Sequence, residues 1–275
     1  MAGLKAVVVC CGVLAGANVM NNVVAKRWAP ATSALATAVL LGVARREGLR
    51  GDELGFARWK QGVTIGGGLA AAVAATYAMG ISLPRTRPLF RDERALALSR
   101  ARLLEEALLQ VPVGTVMLEE IAFRGVLPAL LTRSVQPKTA AAISSALFGL
   151  WHILPALDMA RANPSLSRLA AGELDTTSAP EPPHSDKSQL PAPVTGGTAT
   201  NTGERVRLVA GTVVATSVAG AFFSALRRHG GLLAPALVHI ATNSFGYVAS
   251  RIARRIDAQS ERQTSTETAS SATTT

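Results

Sequence analysis

Glu119 and Glu120 stand side by side in LEEIAFRGVLPALL (residues 118–131), with Arg124 four residues on, inside a stretch otherwise apolar enough for a membrane span. Each ionised group near a bilayer centre costs about 2.5 to 3.5 kcal/mol on insertion scales, so three together predict a paired, cavity-facing functional cluster. On a helix, residues four apart share a face, and Glu120 and Arg124 occur in the favourable Glu-before-Arg order. Glu119 is turned roughly 100° away, which leaves one carboxylate paired and the other available. The competing reading places both glutamates at a helix end, with Leu118 near water.

Two further apolar stretches carry isolated polar groups. In SSALFGLWHILPAL (144–157), Phe148 and His152 lie one helical turn apart, with Trp151 beside them. In PALVHIATNSFGY (235–247), His239 and Asn243 are also four apart and project from one helix face. Either pair alone also serves as hydrogen-bonding glue between helices. Together, a carboxylate, two histidines, an amide and a paired arginine on three helices make a kit for acyl hydrolysis. Peptide cleavage needs a base for water, a proton donor for the leaving amine, and donors for the oxyanion. Three other chemistries remain open. Glu119, His152 and His239 make a two-histidine, one-carboxylate zinc set, although no HExxH occurs. Ser144, Ser145 and Ser244 lie in or beside these stretches, but none sits in a GxSxG elbow. Intramembrane Glu and His also serve proton-coupled transport.

The elements that must hold these groups are read from the apolar blocks. Hydrophobic residues make up 48% of the 275 but aromatic residues only 4%, and mean hydropathy is +0.27. The blocks fall at about 4–24, 29–44, 62–83, 103–118 running into 121–132, 139–157, 206–226 and 231–250, several near the roughly 20 residues that a membrane helix needs. This predicts an all-α, polytopic membrane bundle of about seven to eight transmembrane helices. Gly12, Gly16 and the run Gly66, Gly67, Gly68 suit close helix packing. Organisation along the chain divides into N-terminal helices and basic loops (1–98), a catalytic membrane core (99–257) and a polar tail (258–275). A Pro- and Thr-rich insertion at about 160–204 and the tail both read as disordered, because neither buries enough apolar area to offset chain entropy. His184 falls in the insertion and is set aside.

A net charge of +10 and a pI near 10.7 would suggest nucleic acid in a soluble protein. Here the cations lie between the apolar blocks, at Arg45, Arg46, Arg50, Arg58 and Lys60, then at Arg85, Arg87, Arg91, Arg94, Arg100 and Arg102, then at Arg251, Arg254 and Arg255. Membrane lipid, not nucleic acid, is the partner this implies. Two consecutive basic loops conflict with a simple positive-inside alternation, which predicts a re-entrant span or a loop lying flat. Cys10 and Cys11 are adjacent in the first block and read as small packing residues. That block is expected to be a retained span, although Ala15-Gly16-Ala17 also resembles a signal-peptide cleavage site.

The ordered set EExxxR (Glu119, Glu120, Arg124), FxxxH (Phe148 to His152) and HxxxN (His239 to Asn243), with FRG at 123–125, resembles the CPBP (Abi) intramembrane protease family. That family includes the type II CAAX prenyl endopeptidases, and the resemblance covers about residues 100–250. It implies a helical membrane enzyme that hydrolyses a peptide bond of a membrane-associated protein or peptide without a covalent intermediate. By motif position, Glu119 and His152 would activate water, and His239 with Asn243 would stabilise the oxyanion. Glu120, Arg124 and Phe148 would support them. No cofactor is required in this reading, with zinc on Glu119, His152 and His239 as the metal-dependent form. A non-catalytic immunity or chaperone-like membrane protein is the main rival. The Ala, Gly and Arg bias points to a bacterial cytoplasmic membrane.

Overall fold

The structure, a computed structural model, describes residues 2–162 and 202–273. Among the described residues every regular element is a helix. Helix α1 (Ala2–Val19) is lengthened by a wider π-helical turn, Met20–Val24. Helices α2 (Ala29–Arg46) and α3 (Trp59–Ser82) follow. The next rod, α4, is assembled from Arg100–Glu105, Glu106–Val116, Met117–Glu120, Ile121–Val126 and Leu127–Leu131, of which the second and fourth are π-helical. Pro112, inside the first π-helical stretch, has no N–H to give the ordinary helical ladder. Helices α5 (Pro137–Trp151), α6 (Ile153–Ala162), α7 (Thr202–Gly230) and α8 (Leu233–Thr273) complete the bundle. Pro30 and Pro137 stand in the first turns of α2 and α5, where a missing N–H costs nothing.

Among the described residues four helical stretches are long and apolar enough to cross a membrane: Gly3–Val24, Gly51–Ser82, Pro137–Asp158 and Val206–Gly230. The expected seven to eight crossings therefore stand at four by length and composition. Rod α4 carries Glu105, Glu106, Glu119, Glu120 and Arg124, and α8 continues into polar sequence; both features lower apolar character where the chain does something besides span. Outward-facing Leu4, Val8, Leu35, Val63, Val214 and Val218 are exposed, a surface suited to lipid rather than water.

Among the described residues three apolar clusters hold the rods, the smallest joining Ile81 to Ala249 and Ala253, and the other two flank the site. Leu14 of α1, Leu40 of α2, Leu118, Phe123 and Leu127 of α4, and Phe148 and Trp151 of α5 form the larger of these two. Phe223 and Leu226 of α7 pack with Ala234 and Val238 of α8, backed by Ile65, Leu69 and Val73 of α3, in the other. Helices α5 and α7 approach so closely that a methyl at Gly220 would stand 3.2 Å from Ser145 Cα and from the Phe148 ring. Of the glycines expected to mediate packing, Gly66 does so: a methyl there would sit 2.8 Å from the Ala234 carbonyl. Gly12, Gly16, Gly67 and Gly68 face open space among the described residues. A GxxxG spacing sets residues on one face but does not say whether a partner helix covers it.

Helices α3 and α8 run side by side in the same direction, linked from Gly66 at Ala234 through Tyr77 Oη donating to the Thr242 carbonyl (2.7 Å) to Arg87 Nη1 on Asp257 (3.0 Å). The two basic loops consequently sit at opposite ends of α3. The second loop is also largely spent on protein contacts rather than left for lipid. Arg87 and Arg91 both hold Asp257, Arg94 holds Asp92 and Asp158, Arg102 holds Glu105 and Glu106, and Arg251 donates to the Leu98 carbonyl. Helix α8 runs on to Thr273, through the tail expected to be disordered. Extending a helix already nucleated costs far less than starting one, and Ala258, Gln259, Glu261, Arg262 and Gln263 include good helix formers. Most of the expected insertion, with His184, lies outside the described residues.

Candidate active site

Between the two π-helical stretches of α4, one short α-helical turn, Met117–Glu120, presents both glutamates. Wider turns of this kind re-aim side chains and are frequent at functional sites. Glu119, Glu120 and Arg124 are each at most 2% exposed, so all three charges lie inside the bundle and not at a helix end in water. Arg124 Nη1 is 3.3 Å from Glu120 Oε1, the pair that the four-residue spacing predicts. The guanidinium also stacks on Phe148, with Cζ 3.7 Å from the ring centroid, and lies 5.0 Å from that of Phe223. Such cation–π contacts gain strength when desolvated, so Phe148 and Phe223 offset part of the cost of burying Arg124.

The offset between the glutamates does not send them to separate places. His239 of α8 lies between them, its Nδ1 2.8 Å from Glu120 Oε1 and its Nε2 3.6 Å from Glu119 Oε2. An ionised Glu120 can only accept, which puts a proton on Nδ1 in that state. The 3.6 Å separation is too long for a hydrogen bond, which leaves Nε2 uncommitted. The other Glu119 oxygen, Oε1, accepts a hydrogen bond from the Trp151 indole N–H at 2.8 Å. Oε2 of both glutamates and both Nη atoms of Arg124 are buried with no hydrogen-bond partner among the described residues. In a closed apolar setting such atoms call for bound water or substrate.

His152 is not inside a helix as the apolar run suggested. It is the capping residue at the α5–α6 junction, with φ −84° and ψ 3°. Its Nδ1 lies 2.8 Å from the Phe148 carbonyl, which can only accept. The proton is therefore on Nδ1, and a neutral His152 presents Nε2 as a lone pair able to take a proton. The rings of His152 and His239 both pack edge-on against Phe148, at centroid distances of 4.5 and 6.1 Å. Asn243, one turn beyond His239, is half-buried, and its amide makes no hydrogen bond among the described residues.

Glu119, Glu120, Arg124, Phe148, His152 and His239 are thus linked by direct contacts, several through Phe148, while Asn243 adjoins them on the His239 helix. Among the described residues no group of three or more His, Cys, Asp or Glu side chains is arranged to hold a metal ion. The three serines have packing partners. Ser144 donates to the Phe123 carbonyl, Ser145 to that of Ala141 and Ser244 to that of Ala107. Sequence reasoning passed over Trp151 and Phe223. A buried indole N–H needs an acceptor, so Trp151 next to His152 was a readable signal; Phe223 stands in an uninterrupted apolar helix and gave none.

A family model described as type II CAAX prenyl endopeptidase, Rce1-like, matches residues 106–245, just over half of the chain. The chain belongs to this Rce1-like family. The match runs from Glu106 to Phe245 and so takes in all seven residues of the three motifs. No curated protein and no solved structure matches the chain. Membership, with four apolar helices, identifies an integral membrane protein of CAAX-type intramembrane protease function that acts on membrane-associated substrates.

Proposed function

We propose that the chain is an intramembrane endopeptidase in which Glu119 is the general base, His152 its partner in activating water, and His239 with Asn243 the oxyanion donors. The observation that carries this reading is the environment of Glu119. Its carboxylate is buried, held at one oxygen by Trp151 and free at the other, beside a histidine nitrogen not engaged in a hydrogen bond. Water accepted between Glu119 Oε2 and His152 Nε2 gives its proton to Glu119 as its oxygen bonds to the scissile carbonyl carbon. The oxyanion takes hydrogen bonds from Nε2–H of a protonated His239 and from the Asn243 amide. Collapse breaks the C–N bond, and the proton held by Glu119 passes to the leaving amine, yielding one carboxylic acid and one amine, which then exchange a proton to give carboxylate and ammonium. Glu120 keeps His239 protonated at Nδ1, and Arg124 balances Glu120.

The rods α1, α2, α3, α4, α5, α7 and α8 are read as seven crossings, with residues 99–257 as the catalytic core, in a bacterial cytoplasmic membrane. The route needs no metal. The test is cleavage of an internally quenched, farnesylated CAAX peptide by the purified chain in proteoliposomes, beside its unprenylated twin. Expected are cleavage by wild type that survives chelation and a protein without stoichiometric zinc. Absence of cleavage of any membrane peptide, with binding retained, would favour the immunity or chaperone-like alternative. One tightly bound zinc per chain would contradict the metal-free route.

A further inference from the structure

The hydrogen bond on Glu119 comes from a variable position of FxxxH, not from any of its fixed residues, and the helix bearing that residue is pinned by one that the family match does not reach. Trp151 Nε1–H donates to Glu119 Oε1 at 2.8 Å in a buried setting. Indole nitrogen is a donor only, so it cannot compete for the proton of water. The ring is itself fixed, edge-on to Phe123 at 5.7 Å, and Phe123 meets Phe148 edge-on at 5.4 Å. With Oε1 tethered and the indole held, rotation of the carboxylate is set, and Oε2 faces His239 Nε2.

Helix α5 ends at Trp151, where the last carbonyls of a helix lack intrahelical partners. One of them, Trp151 C=O, accepts a hydrogen bond of 3.0 Å from Asn18 Nδ2 of α1. Asn18 is in turn oriented by Asn22, whose Nδ2 donates to both the Asn18 side-chain oxygen (2.6 Å) and its backbone carbonyl (2.9 Å). The α5 terminus so capped carries Trp151 and His152 in succession. Those are the proposed holder of the base and the proposed second member of the water-activating pair.

We propose that Trp151 is a positioning residue for Glu119, and that Asn18, in the N-terminal helix outside the family match, extends that positioning by capping the helix end that bears Trp151 and His152. The kinetic consequence rests on the proteolytic reading above; the structural link does not. Loss of a hydrogen bond to a buried charged group is expected to lower turnover by about 10- to 100-fold. An interaction made in aligning the reacting groups, rather than in binding substrate, lowers kcat and leaves KM in place.

The experiment has two arms. In detergent, protein labelled with 15N-tryptophan gives one indole N–H signal for each of Trp28, Trp59 and Trp151. Trp28 and Trp59 are exposed, so the exchange-protected signal is that of Trp151. Glu119→Ala is expected to shift that signal and raise its exchange, and Asn18→Asp, which keeps shape but removes the donor, to shift it less. An unmoved Trp151 signal in Glu119→Ala overturns the link whatever the activity. In the second arm, Trp151→Phe and Asn18→Asp are assayed on the farnesylated CAAX peptide. Lower kcat at unchanged KM in both supports the proposal, with unfolding excluded by retained helical circular dichroism and melting. Wild-type kcat in a folded Trp151→Phe overturns it, and wild-type kcat in Asn18→Asp removes Asn18. Failure of wild type itself to cleave refutes the proteolytic reading on this substrate and leaves the first arm to decide the link.

Discussion

His239 Nδ1 lies 2.8 Å from Glu120 Oε1, although 119 residues separate the two in the chain. That contact ties α8 to α4 at the centre of the bundle. It also makes the second glutamate more than a counter-ion for Arg124. Glu120 Oε1 faces both a guanidinium and an imidazole, so two cationic or proton-bearing groups share one carboxylate oxygen. Arg124 answers the charge of Glu120 directly, which helps make burial of that pair tolerable.

Removing Arg124 should therefore be costly. Arg124→Leu leaves Glu120 buried without its guanidinium, and breaking a buried pair from one side destabilises by about 3 to 5 kcal/mol. Denaturation in detergent measures this. A loss under about 1 kcal/mol would show that the pair carries little of the cluster's balance.

Asn243→Ala tests the oxyanion assignment. Removing one such donor costs on the order of 100- to 1,000-fold in kcat, with little change in KM. Its half-buried amide has no protein partner to lose among the described residues, so stability should be nearly unchanged. An unaltered kcat would remove Asn243 from the site.

Gly220→Val probes the scaffold behind Phe148. Branched side-chain bulk 3.2 Å from Ser145 Cα must push α7 off α5, an overpacking change of about 1 to 3 kcal/mol. Because Phe148 carries Arg124 and both imidazoles, turnover should fall as well. A variant of wild-type stability would show that the helices part freely.

The chemistry of the site was legible in sequence because charge inside an apolar run is too costly to persist without partners, and the pairing of Glu120 with Arg124 followed from helical spacing alone. Glu119 stays outside that pair, but the spacing does not show that His239 comes between the two carboxylates. An angular offset on one helix says nothing of a third group arriving between two side chains, and π-helical turns on either side alter the local pitch. His152 looked helical because Ile153 and Leu154 continue the apolar run; only the backbone reveals the break at that residue. The second basic loop was read as lipid-facing because its acidic partners Asp257 and Asp158 are distant in sequence.

That loop supplies a pH test. Burial acting alone would raise the Asp257 carboxyl, but hydrogen bonds and charge from Arg87 and Arg91 outweigh it and hold the group below its ordinary value of 3.8. A depressed carboxyl contributes stability above the unfolded-state value that is lost as pH falls through the folded one. Asp257→Asn should therefore melt earlier than wild type at neutral pH, with the gap closing below about pH 4. A gap independent of pH would show that packing, not charge, is what Asp257 supplies.

The most direct test of the central claim is turnover of the farnesylated CAAX peptide by Glu119→Gln, which keeps size and one acceptor oxygen for Trp151 but cannot take a proton from water. The account predicts a folded protein with cleavage reduced to background, while Asp257→Asn assayed beside it at neutral pH retains kcat. Cleavage by Glu119→Gln at the wild-type rate would contradict the assignment of Glu119 as the base.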